Sequence, residues 1–414
     1  METSAVRKHD DLGRRGLRPY LWVPVLASAV AWGVVFLAVP PSNQDFPLND
    51  DWAFARGAFE FARDGEVHYF GWASMPQLGQ WLWAWPFVSL FGDHHQVLRV
   101  STILLSWTGL IAFGDLVYGY LKRPWLAAAV GTALAFHPLF FLLAGTFMTD
   151  VPALSFALVS LALYDRGFSA GSARLVAAGA GAATLGAITR QNTLAAPLAV
   201  GLVWLGAKRS AGSWVGALAV ALPLAVGIGA HLWFQQRPDT IPFSPRLPAP
   251  QTPPFVLFVL LHFLGLSCIP ILAMGRWPLR SRVFWLVLVA MAAAAFYYGT
   301  YGFGLPYGPL YPYTCNVLSP HGAFEGSRVP GPVVPGHRPL LLGDGPRLAL
   351  TGLGCVAAAM LAARASELER RSWAHPLLLF SLIQVPMMMT LPALYDRYFL
   401  PLLPGALFVA AAAL

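Results

Sequence analysis

Residues 21–39 read LWVPVLASAVAWGVVFLAV, an apolar run with no charged side chain. A helix needs about 20 mostly apolar residues to cross the roughly 30 Å hydrocarbon core of a bilayer. This run therefore predicts a membrane span and sets the fold class. Arg7, Lys8, Arg14, Arg15 and Arg18 precede it, as in a signal peptide. The run is longer than a usual signal core, however, and no small-x-small cleavage site follows, so it is expected to stay as the first span.

Further apolar runs follow along the whole chain. They predict twelve spans, at about 20–40, 96–120, 124–144, 149–164, 173–189, 192–207, 212–234, 254–274, 283–303, 347–363, 374–392 and 397–414. Over the 414 residues, 57% are hydrophobic and 11% charged, with mean hydropathy +0.59. A soluble domain carries roughly 25% charged residues, so the expected architecture is one all-α transmembrane domain over 1–414. Cys268 and Cys355 fall in apolar runs and Cys315 in a loop, with no metal spacing and no disulfide framework.

The net charge of +8 does not imply a nucleic-acid partner. Seventeen of the 27 Lys and Arg fall at 1–19, 121–123, 165–174, 208–211, 275–282 and 364–373. These are alternate loops, the pattern of the positive-inside rule. The N-terminus is thus expected in the cytoplasm, and the protein in the cell inner membrane. Three long segments then face outward. Segment 41–95 holds two candidate interfacial helices, at 51–63 and at the Trp-rich 76–91. Segment 235–253 is proline-rich, and 304–346, rich in Gly, Pro and Tyr, is expected to cap a cavity.

Asp50 and Asp51 stand about ten residues past the first span, on the outer side, in a chain with only 19 acids. Adjacent carboxylates disfavour double ionisation, so one pKa should rise. Such a pair could act as a general base or hold a divalent cation. The structural alternative is a helix cap by Asn49 or Asp50. Asp150, in Thr146-Phe-Met-Thr-Asp-Val-Pro152, sits at an outer turn and could cap the span after it or face a cavity. Arg190, in Ile188-Thr-Arg-Gln-Asn192, and Arg397, in Tyr395-Asp-Arg-Tyr398, are also outer. Their planar forks suit phosphate oxygens. The alternatives are a structural pair with Asp150 for Arg190 and a local ion pair with an outer acid for Arg397. His68 is an outer-loop residue that could touch a ligand, and no Walker A, GxGxxG or HExxH motif is present.

Four elements in this order resemble the membrane-embedded GT-C glycosyltransferases, above all the bacterial protein O-mannosyltransferase and lipid A aminoarabinose transferase group (glycosyltransferase family 39-like). They are Asn49-Asp-Asp-Trp-Ala-Phe-Ala55, Thr149-Asp-Val-Pro152, Thr189-Arg-Gln-Asn192 and Asp396-Arg-Tyr-Phe-Leu-Pro-Leu-Leu-Pro404. The acid pair is Asp-Asp where the family often has Asp-Glu, and no soluble segment follows the last run in this sequence.

The resemblance implies a GT-C bundle that transfers a sugar, with inversion, from a polyprenyl-phosphate-linked donor to a lipid, glycan or protein acceptor at the outer face. It also implies roles: Asp50 as base, Asp51 as a supporting or metal-facing group, Asp150 as a further catalytic acid, and Arg190 and Arg397 on the donor phosphate. Gln191, Asn192, His68, Tyr395 and Asp396 would contact substrate, and a divalent metal could sit among Asp50, Asp51 and Asp150. The competing expectation is a transporter or flippase for a lipid-linked sugar or small solute, which should place ionisable residues near the bilayer midplane.

Overall fold

The computed structural model describes residues 18–40, 45–48, 50–206, 214–241, 252–301, 318–319, 322–323, 344–369, 375–390 and 396–414. It is helical almost throughout. After a 3-10 turn at Pro19–Leu21 come α1 (Val23–Ala38), α2 (Asp51–Asp64), α3 (Leu78–Phe91), α4 (His95–Leu121), α5 (Pro124–Ala135) and α6 (Pro138–Ala144). Next are α7 (Asp150–Ala170), α8 (Ala173–Ala187), a 3-10 turn at Gln191–Leu194, α9 (Ala195–Gly206), α10 (Trp214–Gln235), α11 (Thr252–Leu272) and α12 (Arg282–Tyr301). The chain ends with α13 (Asp344–Ser366), α14 (Pro376–Met389), a 3-10 helix at Asp396–Leu402 and α15 (Leu403–Ala412). Two-residue strands, Leu318–Ser319 and Gly322–Ala323, pair antiparallel. The rest of the proposed 304–346 cap, up to the start of α13, lies outside the described residues.

Each of the twelve apolar runs contains helix, but the helices differ in reach. Among the described residues, six are long and apolar enough to cross a membrane, and α5 with α6 makes a seventh if that pair, bent by 65°, is one span. Of the remaining apolar helices, α12 runs 20 residues, and α8, α9, α14 and α15 run only 10–15, about 15–23 Å at 1.5 Å per residue. The bend has a local cause. Pro138 opens α6, and the His137 side chain caps it by accepting from the Leu139 amide at 3.3 Å. Several of the short helices flank the turns that carry Arg190 and Arg397, where the chain leaves α-geometry for 3-10 turns.

The multi-pass character shows on the surface. On α1, Leu26, Val30, Val34 and Leu37 are 60–85% exposed on one apolar face, and α12 exposes Trp285, Leu286, Val289 and Phe296. Water would disfavour such stripes, whereas lipid tails do not. Inside, small residues let helices close in. A Cβ on Gly109 of α4 would lie 2.7 Å from the Ser155 hydroxyl of α7. One on Gly265 of α11 would lie 2.4 Å from the Ala358 backbone of α13.

Of the two expected interfacial helices, α2 turns Ala53, Phe54, Ala55, Gly57 and Ala58 inward and leaves Trp52 and Arg56 outward. In α3 the pattern differs from the expectation. Trp81, Ala84 and Val88 enter the core, while Leu82, Trp85, Leu90 and Phe91 are exposed, so it is apolar on both faces.

The two ends of the bundle differ in charge. Near the C-terminal end of α4, Asp115 pairs with Arg18 at 3.2 Å and Arg166 at 2.6 Å. His95, about 30 Å away along α4, marks the other end, where α2 begins, α7 begins and α8 ends.

Candidate active site

Asp50 and Asp51 start α2, yet neither side chain caps it. Asp51 turns back. Its Oδ1 accepts from the Leu48 amide at 2.5 Å and its Oδ2 from the Phe147 amide at 3.3 Å. The carboxylate thus ties the approach to α2 onto the turn between α6 and α7. It is 0% exposed. Burial pushes its pKa up to about 6, against the downward pull of the Leu48 amide, the Arg99 charge and the Phe147 amide. Asp50 instead meets the far end of the chain: its Oδ2 lies 3.1 Å from Arg397 Nη1.

Asp150 is the first residue of α7, next to Thr149 at the N-cap, and neither expected cap forms through the Thr149 side chain. Arg190 Nη1 donates to Asp150 Oδ1 at 2.5 Å and to Thr149 Oγ1 at 3.0 Å. Arg190 can reach because its backbone is extended between the end of α8 and the Gln191–Leu194 turn. Asp150, Arg190 and Arg397 are all under 9% exposed. A buried charge persists only when paired; the Arg190–Asp150 alternative is present as a contact, whereas Arg397 pairs not locally but with Asp50, 347 residues away. These pairs are also what brings the predicted residues together.

Tyr398 joins the two pairs. Its ring centroid lies 5.3 Å from the Arg190 guanidinium carbon and 5.7 Å from that of Arg397. Around this centre are acceptors with unused capacity. Asp150 Oδ2, Gln191 Oε1, Asn192 Oδ1 and Gln80 Oε1 are buried without a hydrogen-bond partner. Such oxygens favour a ligand that carries hydroxyl or amine donors.

Sequence reasoning did not select Gln80, Gln384 or Arg99. Gln80 donates to the Phe147 carbonyl at 3.0 Å, and Gln384 to the Asn192 carbonyl at 2.9 Å. Each is a polar residue in an otherwise apolar helix, a signal that could have flagged it. His68 is placed elsewhere. Its Nδ1 is 2.9 Å from Glu60 of α2, and its Nε2 3.6 Å from Glu66, in the exposed segment just past the end of α2. Asn49, Tyr395 and the side chain of Asp396 lie outside the described residues.

Among the described residues no three His, Cys, Asp or Glu side chains gather as a metal-ligand set. Asp50 and Asp150 each hold a guanidinium, and both Asp51 oxygens are taken by backbone amides. This donor arrangement does not fit a cation shared by the three acids. Three acids and three arginines, with Arg99 counted beside Asp51, leave the centre formally neutral.

A cavity of about 640 Å³ opens apart from this centre, between α1, α5 and α11, and is lined by residues such as Val23, Phe136, Phe263 and Met274. Its polar pair is satisfied internally, with His137 Nε2 2.9 Å from Ser267 Oγ, so its wall suits hydrocarbon.

No protein-family model matches the chain, and no curated protein matches it. Two solved structures resemble it. One is ArnT from Cupriavidus metallidurans in the apo state, at 15% identity and TM-score 0.41, over 93% of this chain and 77% of that one. The other is the same protein bound to undecaprenyl phosphate, at 14% identity and TM-score 0.44, over 96% of this chain and 77% of that one.

Proposed function

We propose that the chain is a GT-C-type membrane glycosyltransferase that moves a sugar from a polyprenyl-phosphate donor to an acceptor hydroxyl at the extracytoplasmic face. The observation that carries this is the juxtaposition of Asp50 with Arg397, 347 residues apart, beside the Asp150–Arg190 pair at one end of the bundle. Acid and base chemistry and phosphate recognition need those residue types together. The basic loops assign the opposite end to the cytoplasm. In this proposal the shorter helices complete twelve crossings with help from their turns, and 1–414 acts as one domain.

Arg190 and Arg397 take the phosphate oxygens of the donor. Asp50, relieved of Arg397, accepts the proton of the acceptor hydroxyl. The acceptor oxygen attacks the anomeric carbon opposite the phosphate, through an oxocarbenium-like transition state. The carbon–oxygen bond to phosphate breaks and its electron pair stays on the phosphate. The phosphate leaves as a polyprenyl monophosphate with one added negative charge, held by the arginines. The product is inverted at the anomeric carbon. Asp150 fixes Arg190, Gln191 and Asn192 offer acceptors to sugar hydroxyls, and Asp51 supports the turn that carries Asp50. No step needs a metal.

A transporter would gather its ionisable residues near the midplane, whereas these pairs lie where α2 and α7 begin. The test is to supply purified protein in liposomes with a labelled polyprenyl-phosphate sugar and an envelope extract as acceptor source. Release of polyprenyl phosphate with an inverted glycoside is expected. Movement of intact donor across the bilayer with no covalent product would overturn the proposal.

A further inference from the structure

Two guanidiniums lie against one aromatic ring. Arg190 comes from the turn after α8 and Arg397 from the 3-10 helix at Asp396–Leu402, yet both lie within 6 Å of the Tyr398 ring centroid. Like charges gathered at one ring repel, more strongly when buried. The carboxylates of Asp150 and Asp50 each neutralise one of them. The negative face of the ring attracts both, whichever anion they hold.

We infer that Tyr398 is a positioning residue: its ring holds Arg190 and Arg397 as a two-pronged clamp on a single phosphate. The carboxylates occupy that clamp until the donor arrives. When the phosphate takes Arg397 from Asp50, the ring keeps the cation in place, and the freed Asp50 carboxylate turns to the incoming acceptor. Donor binding and activation of the base are thereby one exchange. The inference rests on the glycosyltransferase proposal above and gives a role to a residue that the motif contains but that neither the motif nor the ion pairs explain.

The experiment compares Tyr398→Phe and Tyr398→Leu in the full-length protein. It reads donor KM, kcat at saturating donor, and inhibition by free polyprenyl monophosphate. Loss of the ring face should raise donor KM and weaken inhibition by the free monophosphate, each about tenfold, with kcat changed by less than about threefold. Tyr398→Phe keeps the face and should restore both constants.

A shape-conserving series covers the case in which Tyr398→Leu does not fold. Phenylalanine with increasing ring fluorination at position 398 weakens the face with little change in volume. Donor KM should rise with each fluorine. Unchanged KM and inhibition in Tyr398→Leu, or KM indifferent to fluorination, overturns the inference. So does a Tyr398→Phe variant as impaired as Tyr398→Leu, since the hydroxyl would then carry the effect. Absence of polyprenyl phosphate release by the unmodified protein contradicts the reaction itself, whereas release with indifferent Tyr398 variants contradicts only this role.

Discussion

Asp51 has its two oxygens committed to the amides of Leu48 and Phe147, and it is fully buried. Asp51→Asn keeps the shape but has one oxygen for two amides. One buried amide then loses its acceptor, at a cost of about 1–3 kcal/mol, and thermal unfolding should move down accordingly. The same side chain gives stability a pH dependence. Burial holds it protonated up to about pH 6, while an unfolded Asp titrates near 4. Between those values the folded chain binds more protons than the unfolded one, so this contribution to stability falls as pH rises from about 4 through 6. Melting temperatures across that window should decline more in the unmodified protein than in Asp51→Asn, and equal slopes would rule the effect out. The sequence marked Asp50 and Asp51 by their scarcity and position, but not which way each points. Asp50 and Asp51 are neighbours in the chain, and only the turn at Phe147 and the distant Arg397 separate their tasks.

At the scale of elements, the junction of α7 with the turn after α8 depends on one buried pair, Asp150 with Arg190. Asp150→Leu alone leaves an uncompensated buried guanidinium and should cost about 3–5 kcal/mol. Adding Arg190→Met should recover most of that stability without recovering sugar transfer, and recovery of both would reduce the pair to scaffolding. Helix α3 sets Gln80 against the Phe147 carbonyl because Gly79 lets it approach α8: a Cβ there would lie 2.0 Å from the Leu185 carbonyl oxygen. Gly79→Val should therefore displace α3 and lower both stability and activity, whereas Gly33→Val, with open space around it, should change neither. The apolar runs gave the positions of these helices because burial in lipid or core needs continuous hydrophobicity. They could not give lengths. Several helices end early at turns around the site, and α3 hides its core-facing side within a run that is apolar all round.

Across the whole molecule, two groups of ion pairs occupy opposite ends. The acid–arginine pairs sit where α2 and α7 begin, and the Arg18–Asp115–Arg166 cluster sits near the other end. Alternating basic loops in the sequence lead us to expect the site on the outer side, because each crossing reverses the side. The contact of Asp50 with Arg397 was not legible, since nothing local encodes a partner 347 residues away. In a Cys315→Ser background, Trp52→Cys should react with a membrane-impermeant maleimide in intact cells, and Arg123→Cys only after permeabilisation. The reverse pattern would put the site on the cytoplasmic face. The central claim is that Asp50 is the base for sugar transfer, and the most direct measurement is the rate of polyprenyl phosphate release from a labelled polyprenyl-phosphate sugar by Asp50→Asn. A loss of at least about 100-fold is expected in a variant that keeps the melting behaviour of the unmodified protein to within a few degrees. An Asp50→Asn protein that folds normally and releases polyprenyl phosphate at the full rate would contradict it.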